Sequence, residues 1–429
     1  MGISNRSLRM REGRVATTCG RWRRLLRCGL TVALVAAAGL TAMAQLDSPW
    51  MWGPHLGAFG SDYATVTWKV SRPVEIEVRY GQAALYDADG SFEETLAFPR
   101  HQGLAEIRLD GLVPGTGYVY QVVVYEGDAV HPGPVGRFAT SGGNAAPTTV
   151  LVYGNTAGFP ERQRVVIDAM RAFDGDAALL VNVGPLVRSN DPEGYAELFE
   201  VIGPFALDHP YVAVAGASER GSEIYYDSFA LPTGGGIDDE QWWSIDLGGV
   251  HFVALDVSTP EGPEAAALIA EQVTWLTADL AASSAELKVV FVRDPIYSST
   301  LPDGVDKELR LRWEGLLRDG GVDLVVAGGA SRYEHLYVGG VHHVVCAGGG
   351  GPFAAVPPID AAGLVFSRYS ALHYLRLTIA GEALRVEAIP VATVYAVGLD
   401  EQGAPIEEVH LVPGGEPMDR FTLGRSASE

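Results

Sequence analysis

Between Val150 and Val326 the chain repeats one pattern: a short apolar run, a turn, and often a stretch with helical periodicity. The runs are Val150 to Tyr153, Ala178 to Val181, Tyr211 to Val214, His251 to Leu255, Lys288 to Val292 and Val322 to Val326. Each is too short for a helix and reads as a buried strand. Arg162 to Phe173, Ile269 to Ala282 and Lys307 to Leu317 read as helices between them. Buried strands alternating with helices dictate a layered α/β domain. Later strand signals at Leu372–Ile379, Leu384–Ile389 and Val409–Val412 predict a second sheet packed on the first.

The region from Ser48 to Thr140 follows a different rule. Ala64, Val66, Trp68 and Val70 alternate with Thr65, Thr67 and Lys69, and Val74, Ile76 and Val78 alternate with Glu75, Glu77 and Arg79. Period two with one polar face marks half-buried strands of an all-β sandwich. A turn-forming Pro114-Gly115 then leads into Tyr118-Val119-Tyr120. The implied organisation is a leader at 1–44, a sandwich at 48–140, a linker at 141–147, an α/β domain at 148–412 and a loose tail at 413–429. Ser141-Gly142-Gly143-Asn144-Ala145-Ala146-Pro147 is linker-like by composition.

The leader has the layout of a cleavable secretory signal. Arg21, Arg23, Arg24 and Arg27 precede the apolar stretch Gly29 to Leu40, and Ala42-Met43-Ala44 precedes Gln45. The expectation is an exported protein, periplasmic or extracellular, with no membrane span after cleavage. Without the eight Arg and one Glu of residues 1–44, the chain holds 23 basic and 52 acidic side chains, net −29. That surface repels nucleic acid and anionic lipid. Cys346 is then the only cysteine, which excludes an intrachain disulfide, and it lies in an apolar run that reads as core.

Two sets of motifs carry a family resemblance. The run Leu112-Val113-Pro114-Gly115-Thr116-Gly117-Tyr118, with the strand around Trp68, resembles a fibronectin type III domain of the kind that precedes purple acid phosphatase domains. The second region resembles a calcineurin-type metallophosphoesterase of the purple acid phosphatase branch. Trp243 to Asp246, Gly249 to Asp256, Gln272 to Leu280, Gly321 to Gly328, Tyr333-Glu334 and Gly348 to Gly351 occur in the family's order and spacing. The resemblance implies a four-layer α/β/β/α fold of two packed mixed sheets. It also implies a dinuclear Fe, Zn or Mn centre held by loops at the carboxyl ends of the strands. Two such cations clamp a phosphate and turn a bound water into hydroxide.

The ligand positions of that centre are substituted throughout. The first Gly-Asp is Gly154-Asn155, with Ala157 two residues on. The bridging Gly-Asp is Gly184-Pro185, and the metal-binding tyrosine position is Arg188. The Gly-Asn-His-Glu loop is Gly216-Ala217-Ser218-Glu219. Arg293 replaces the His before Asp294-Pro295-Ile296-Tyr297. The Gly-His-x-His loop is Gly328-Gly329-Ala330-Ser331. Pro, Ala and Gly offer no side-chain lone pair, and Arg brings a fixed positive charge.

Taken without the family, Asn155, Gly184-Pro185 and Gly328-Gly329 are ordinary turn formers. Asn155, Ser218, Glu219, Asp294 and Ser331 could together suit only a loosely held hard cation, and Arg293 argues against it by repulsion. Three readings follow. One is a non-catalytic pseudophosphatase acting as a binding or scaffold protein, its partner an unknown protein or small anionic ligand, with no catalytic residue, no metal and no cofactor. Another is a hydrolase with a rebuilt site, including a nucleophile at Ser218 or Ser331. The last is a metal-free binder of a small anion using Arg188, Arg293 and Arg332. The first is the expectation.

Overall fold

The structure is a computed structural model that describes residues 48–142, 147–216, 219–258, 265–301, 304–353, 361–399 and 405–424. The expected leader at 1–44, part of the linker, Ala217, Ser218 and residues 425–429 lie outside the described residues.

β1 (Trp50–Phe59), β2 (Tyr63–Gln82), β3 (Glu94–Asp110), β4 (Gly117–Glu126) and β5 (Ala129–Ala139) form one antiparallel sandwich-like sheet, with α1 (Ala83–Asp89) after β2. The two alternating runs expected as separate strands are one 20-residue strand, β2. Its ladder with β3 shifts register between Val70 and Val74. Pro73 sits at that shift and cannot donate to a ladder, so the irregularity falls there and pairing resumes beyond it. Ala64, Val66, Trp68, Val70, Val74, Ile76 and Val78 are all buried, as their period-two spacing requires.

The rest of the chain builds two mixed sheets. Its strands are β6 (Thr148–Tyr153), β7 (Leu179–Asn182), β8 (Tyr211–Ala213), β9 (Gly234–Gly235), β10 (Trp242–Leu247), β11 (Val250–Leu255), β12 (Leu287–Val292) and β13 (Leu324–Ala327). Then come β14 (Tyr333–Val338), β15 (Val341–Cys346), β16 (Leu364–Arg368), β17 (Ala371–Ala380), β18 (Ala383–Leu399), β19 (Pro405–Leu411) and β20 (Asp419–Gly424). The seven-stranded sheet runs β19-β18-β17-β6-β7-β8, with β20 also on β18. The eight-stranded sheet runs β16-β14-β15-β13-β12-β11-β10-β9.

Alternation along the strands explains the layers. Phe252, Val289, Phe291, Leu324, Val326 and Val344 join the core that also holds Val150, Val152, Val181, Leu375 and Leu377 of the other sheet. Their neighbours Val253, Leu255, Val290, Val292 and Val325 pack with Leu276 and Leu280 of α5 (Ala265–Ala282) and with Trp313 and Leu317. The outer face of the seven-stranded sheet is covered by α2 (Pro160–Phe173) and α3 (Pro192–Ala206), through residues such as Val166, Met170, Leu198 and Ile202. The result is the expected α/β/β/α sandwich. The short α4 (Glu223–Ser228) follows β8. Among the described residues no helix is long and apolar enough to cross a membrane.

The expected loose tail is corrected in part. Asp419–Gly424 is a strand paired with Ala383 to Ala388. Leu423 is buried, and Phe421 stacks on His335 with ring centres 4.2 Å apart. Two apolar residues at alternate positions, Phe421 and Leu423, are enough for an edge strand, and the Gly-Pro-rich lead before it hid the signal.

The sandwich sits on the larger domain through β1. Trp52 and His55 stack on Phe199 of α3 at 5.3 and 4.5 Å. His55 Nε2 lies 3.1 Å from the carbonyl of Ser228, and the Ala58 amide donates to Ala230 at 2.6 Å. Tyr120 donates to the Leu207 carbonyl at 2.8 Å.

Candidate functional site

Five loops leave the carboxyl ends of β6, β7, β8, β12 and β13, and a sixth follows β15. They meet where the two sheets adjoin, and backbone bonds hold them. The Asn155 amide donates to Gly184 at 2.6 Å, and the Thr156 and Ala157 amides to Pro185 at 3.0 and 3.2 Å. Gly349 donates to Gly154 at 2.8 Å, and Gly351 to Asn155 at 2.5 Å. Gly328 closes against the Val183 and Gly184 carbonyls so tightly that a Cβ there would overlap both. The loops are packed on one another, not spaced around a gap.

Arg293 lies in the middle of this junction. A Cβ on Gly216 would overlap its Cδ, and a Cβ on Gly184 would lie 3.4 Å from its Cγ. At Gly216 the stem therefore occupies space that only glycine leaves open, and at Gly184 it lies in ordinary contact. Its Nη1 donates to Asp294 Oδ1 at 2.7 Å. Its Nε is buried without a hydrogen-bond partner.

The other candidate positions are placed as follows. Asn155 is buried in a left-handed conformation, φ 59°. Its Nδ2 faces the carbonyls of Ala347 and Pro352, both at 3.3 Å. Two carbonyls require the nitrogen there, so the amide oxygen is turned under Gly351. Pro185 is half-buried and offers only its backbone carbonyl, which Thr156 Oγ1 also uses at 3.0 Å. Gly329 is exposed, with the Arg293 carbonyl 2.9 Å from where its Cβ would stand. Ser331 is half-buried at φ 49°. Ala217 and Ser218 lie outside the described residues; Glu219 beside them is fully buried.

The three arginines have separate surroundings. Arg188 is exposed and donates to the Gly158 carbonyl at 2.9 Å. Arg293 pairs with Asp294. Arg332 is fully buried 3.9 Å from Glu334, itself fully buried and accepting from the Ser299 amide at 3.0 Å. A guanidinium sealed against a carboxylate presents no face to a solute.

A buried polar network under the loops escaped the sequence reading. Tyr153 and Tyr211 share a 2.8 Å hydroxyl bond. Asn182 donates to the Tyr211 hydroxyl at 2.8 Å and to Thr156 Oγ1 at 3.4 Å, and its Oδ1 accepts from the Gly184 amide at 2.8 Å. Gln163 reaches Tyr153 at 3.3 Å. Burial pushes the Tyr153 phenol up to about 12 and Tyr211 well above its usual value, so the network is uncharged. The available signal was Asn182, an amide inside the apolar run Ala178–Val183.

This donor set does not fit a two-cation centre. Such a centre needs a bridging carboxylate and several anionic or imidazole ligands. Here the bridging position is proline, the amide nitrogen of Asn155 is engaged by the Ala347 and Pro352 carbonyls, and a guanidinium occupies the middle. Among the described residues, no three His, Cys, Asp or Glu side chains group to hold a metal ion.

No family model and no curated relative matches the chain. Solved structures do. A purple acid phosphatase from yellow lupin seeds (Lupinus luteus) is similar over 87% of this chain and 74% of its own, with TM-score 0.67 and 17% identity. The structure titled PhoD is similar over 88% of this chain and 90% of its own, with TM-score 0.60 and 12% identity. The chain has the metallophosphoesterase fold with an N-terminal β sandwich. At these identities the fold is what is shared.

Proposed function

We propose that this protein is a non-catalytic bearer of the metallophosphoesterase fold, exported, and working by binding. One observation carries the reading: the Arg293 side chain runs through the space left by Gly216 and packs beside Gly184, at the junction where the fold's ligand loops converge. A fixed cation there opposes a metal ion at short range, even at an effective dielectric constant of about 20. The loops keep their positions by other means, through the Asn182 network and the backbone bonds around Gly184.

The rebuilt-hydrolase reading has less support. Ser331 has no imidazole arranged as its base among the described contacts, and a serine hydroxyl needs one. The three-arginine anion reading is weakened by Arg332, whose charge is matched inside the core.

The test is turnover. The chain expressed without residues 1–44 is assayed with p-nitrophenyl phosphate across acid and alkaline pH, with Fe, Zn or Mn added. No hydrolysis above the buffer rate is expected. Metal-dependent turnover that is lost on substituting residues of these loops, and so belongs to this chain, would refute the reading.

A further inference from the structure

Where the last strand meets the eight-stranded sheet, three titratable side chains are bonded in series. β20 pairs with β18 from Ala383 to Ala388, at the edge of the seven-stranded sheet. Asp419 and Phe421 reach from it to the other sheet. Asp419 Oδ2 accepts from the Tyr333 hydroxyl at 2.7 Å and lies 2.9 Å from His335 Nδ1. His335 Nε2 lies 2.8 Å from His342 Nδ1. Phe421 stacks on both imidazoles, with ring centres 4.2 and 4.7 Å away. His335 is buried, and His342 is half-buried with Tyr337 against it at 4.6 Å.

The acceptors fix the protons. Burial raises the Asp419 carboxyl, but the His335 and Tyr333 donors outweigh it and hold the group below its usual range, so it is ionised. A carboxylate only accepts, and His335 therefore carries hydrogen on Nδ1. In the neutral pair, His335 Nε2 accepts from His342 Nδ1–H. One added proton breaks no bond. It enters on His342 Nε2, the Nδ1 proton passes to His335 Nε2, and the imidazolium so formed lies against Asp419. A second proton has no such place. Every ring nitrogen would then carry hydrogen, and two N–H groups would face each other across the same short gap.

The surroundings do not relieve that conflict. Burial keeps the Tyr333 phenol and the Cys346 thiol neutral. His343 points to the other face of β15, and burial with the nearby His342 presses it from 6.5 to about 4. His373 of β17, edge-on to Tyr333 at 5.4 Å, is pressed by burial to about 4. Arg420 spends its charge on Glu387 at 2.7 Å. Burial, then His335, presses His342 from 6.5 to about 4 against the pull of Asp419.

We infer that Asp419, His335 and His342 form a proton-operated clasp, which holds β20 across the two sheets while the pair carries at most one proton and releases it when both rings are charged. Release leaves the outer edge of β18 unpaired over Ala383 to Ala388, a template for another strand. The clasp is separate from the loop junction and does not depend on the reading of it.

Hydrogen exchange of the chain expressed without residues 1–44, corrected for the intrinsic pH dependence of amide exchange, tests this. Protection of residues 419–424 is followed from pH 7.5 to 4 beside that of β6 and β12. In the open strand His342 takes its proton below 6.5, and in the closed one only near 4, so opening becomes about tenfold easier per pH unit between these values. The expected result is that loss in β20, with β6 and β12 better protected than β20 throughout. His342→Phe keeps a ring against Phe421, binds no proton and should remove the dependence. Should it fail to fold, His342→Gln keeps a donor for His335 Nε2 and should do the same. Protection of β20 that is independent of pH, or a dependence that these variants leave unchanged, overturns the proposal. So does exchange of β20 in step with β6 and β12 at every pH, since the strand would then not open by itself.

Discussion

The side chain of Arg293 passes through the position that a Cβ on Gly216 would occupy. The two residues come from loops after β12 and β8, in different sheets, so one long side chain links the sheets at their carboxyl ends. Its charge is answered locally by Asp294. Truncating it removes packing as well as charge.

Arg293→Ala is therefore expected to lower stability by about 1–3 kcal/mol. Arg293→Met, which keeps the stem, should lose less than Arg293→Ala. Urea unfolding of the three proteins measures this. Equal losses in the two variants would place the effect in the ion pair alone.

The Asn182 network should be costlier to break. Asn182→Leu leaves the buried Gly184 amide without its acceptor and the buried Tyr211 hydroxyl with only Tyr153 as a partner. Orphaned buried groups cost about 1–3 kcal/mol each, so Asn182→Leu should destabilise more than Tyr153→Phe, which removes one hydroxyl. Reversed order would show that the network does not hold the loops.

These two sites differ in how far the sequence disclosed them. The strand ends were legible because each apolar run stops at Gly154, Gly184, Gly216 or Gly328, and turn chemistry is local. Pro185 and Arg293, standing at two of the ligand positions that the resemblance implies, were legible as well. What fills it was not, because the Gly216–Arg293 contact joins residues far apart in sequence. Arg332 read as one of three anion-binding arginines, because its burial beside Glu334 is a tertiary fact that the sequence does not carry. β20 was missed because six residues with half their side chains exposed resemble a tail until β18 supplies a ladder.

Acid should weaken the fold before the carboxylates titrate. Burial presses His55, His343 and His373 from 6.5 to about 4. Each is neutral in the fold, while the unfolded chain takes up a proton below its own value. The stability tied to them is intact above pH 6.5 and is lost as pH falls from 6.5 toward 4. Each histidine removes up to about 1.4 kcal/mol per pH unit in that window. The urea midpoint should fall steadily across it, and His55→Gln at the domain seam should flatten the slope. A midpoint independent of pH in that range would contradict the burial of these rings.

Glu240 works in the opposite direction. Burial, with the Glu106 carboxyl nearby, pushes its carboxyl up from 4.5 to about 8. The fold holds that proton where the unfolded chain releases it, so its penalty grows as pH rises from 4.5 to 8. Glu240→Gln keeps the oxygen that accepts from the Leu231 amide at 3.1 Å. It should raise stability at pH 8 by on the order of 1–3 kcal/mol and change little near pH 4. Thermal unfolding of the variant at both pH values checks this, and a loss at pH 8 would mean the carboxylate is stabilised by a partner.

The central claim is that the loop junction holds no dinuclear centre. Elemental analysis of the chain expressed without residues 1–44, after exposure to Fe, Zn and Mn and removal of free ions, tests it most directly. The account predicts well below one metal ion per chain. Two ions per chain, lost on mutation of residues in these loops, would contradict it.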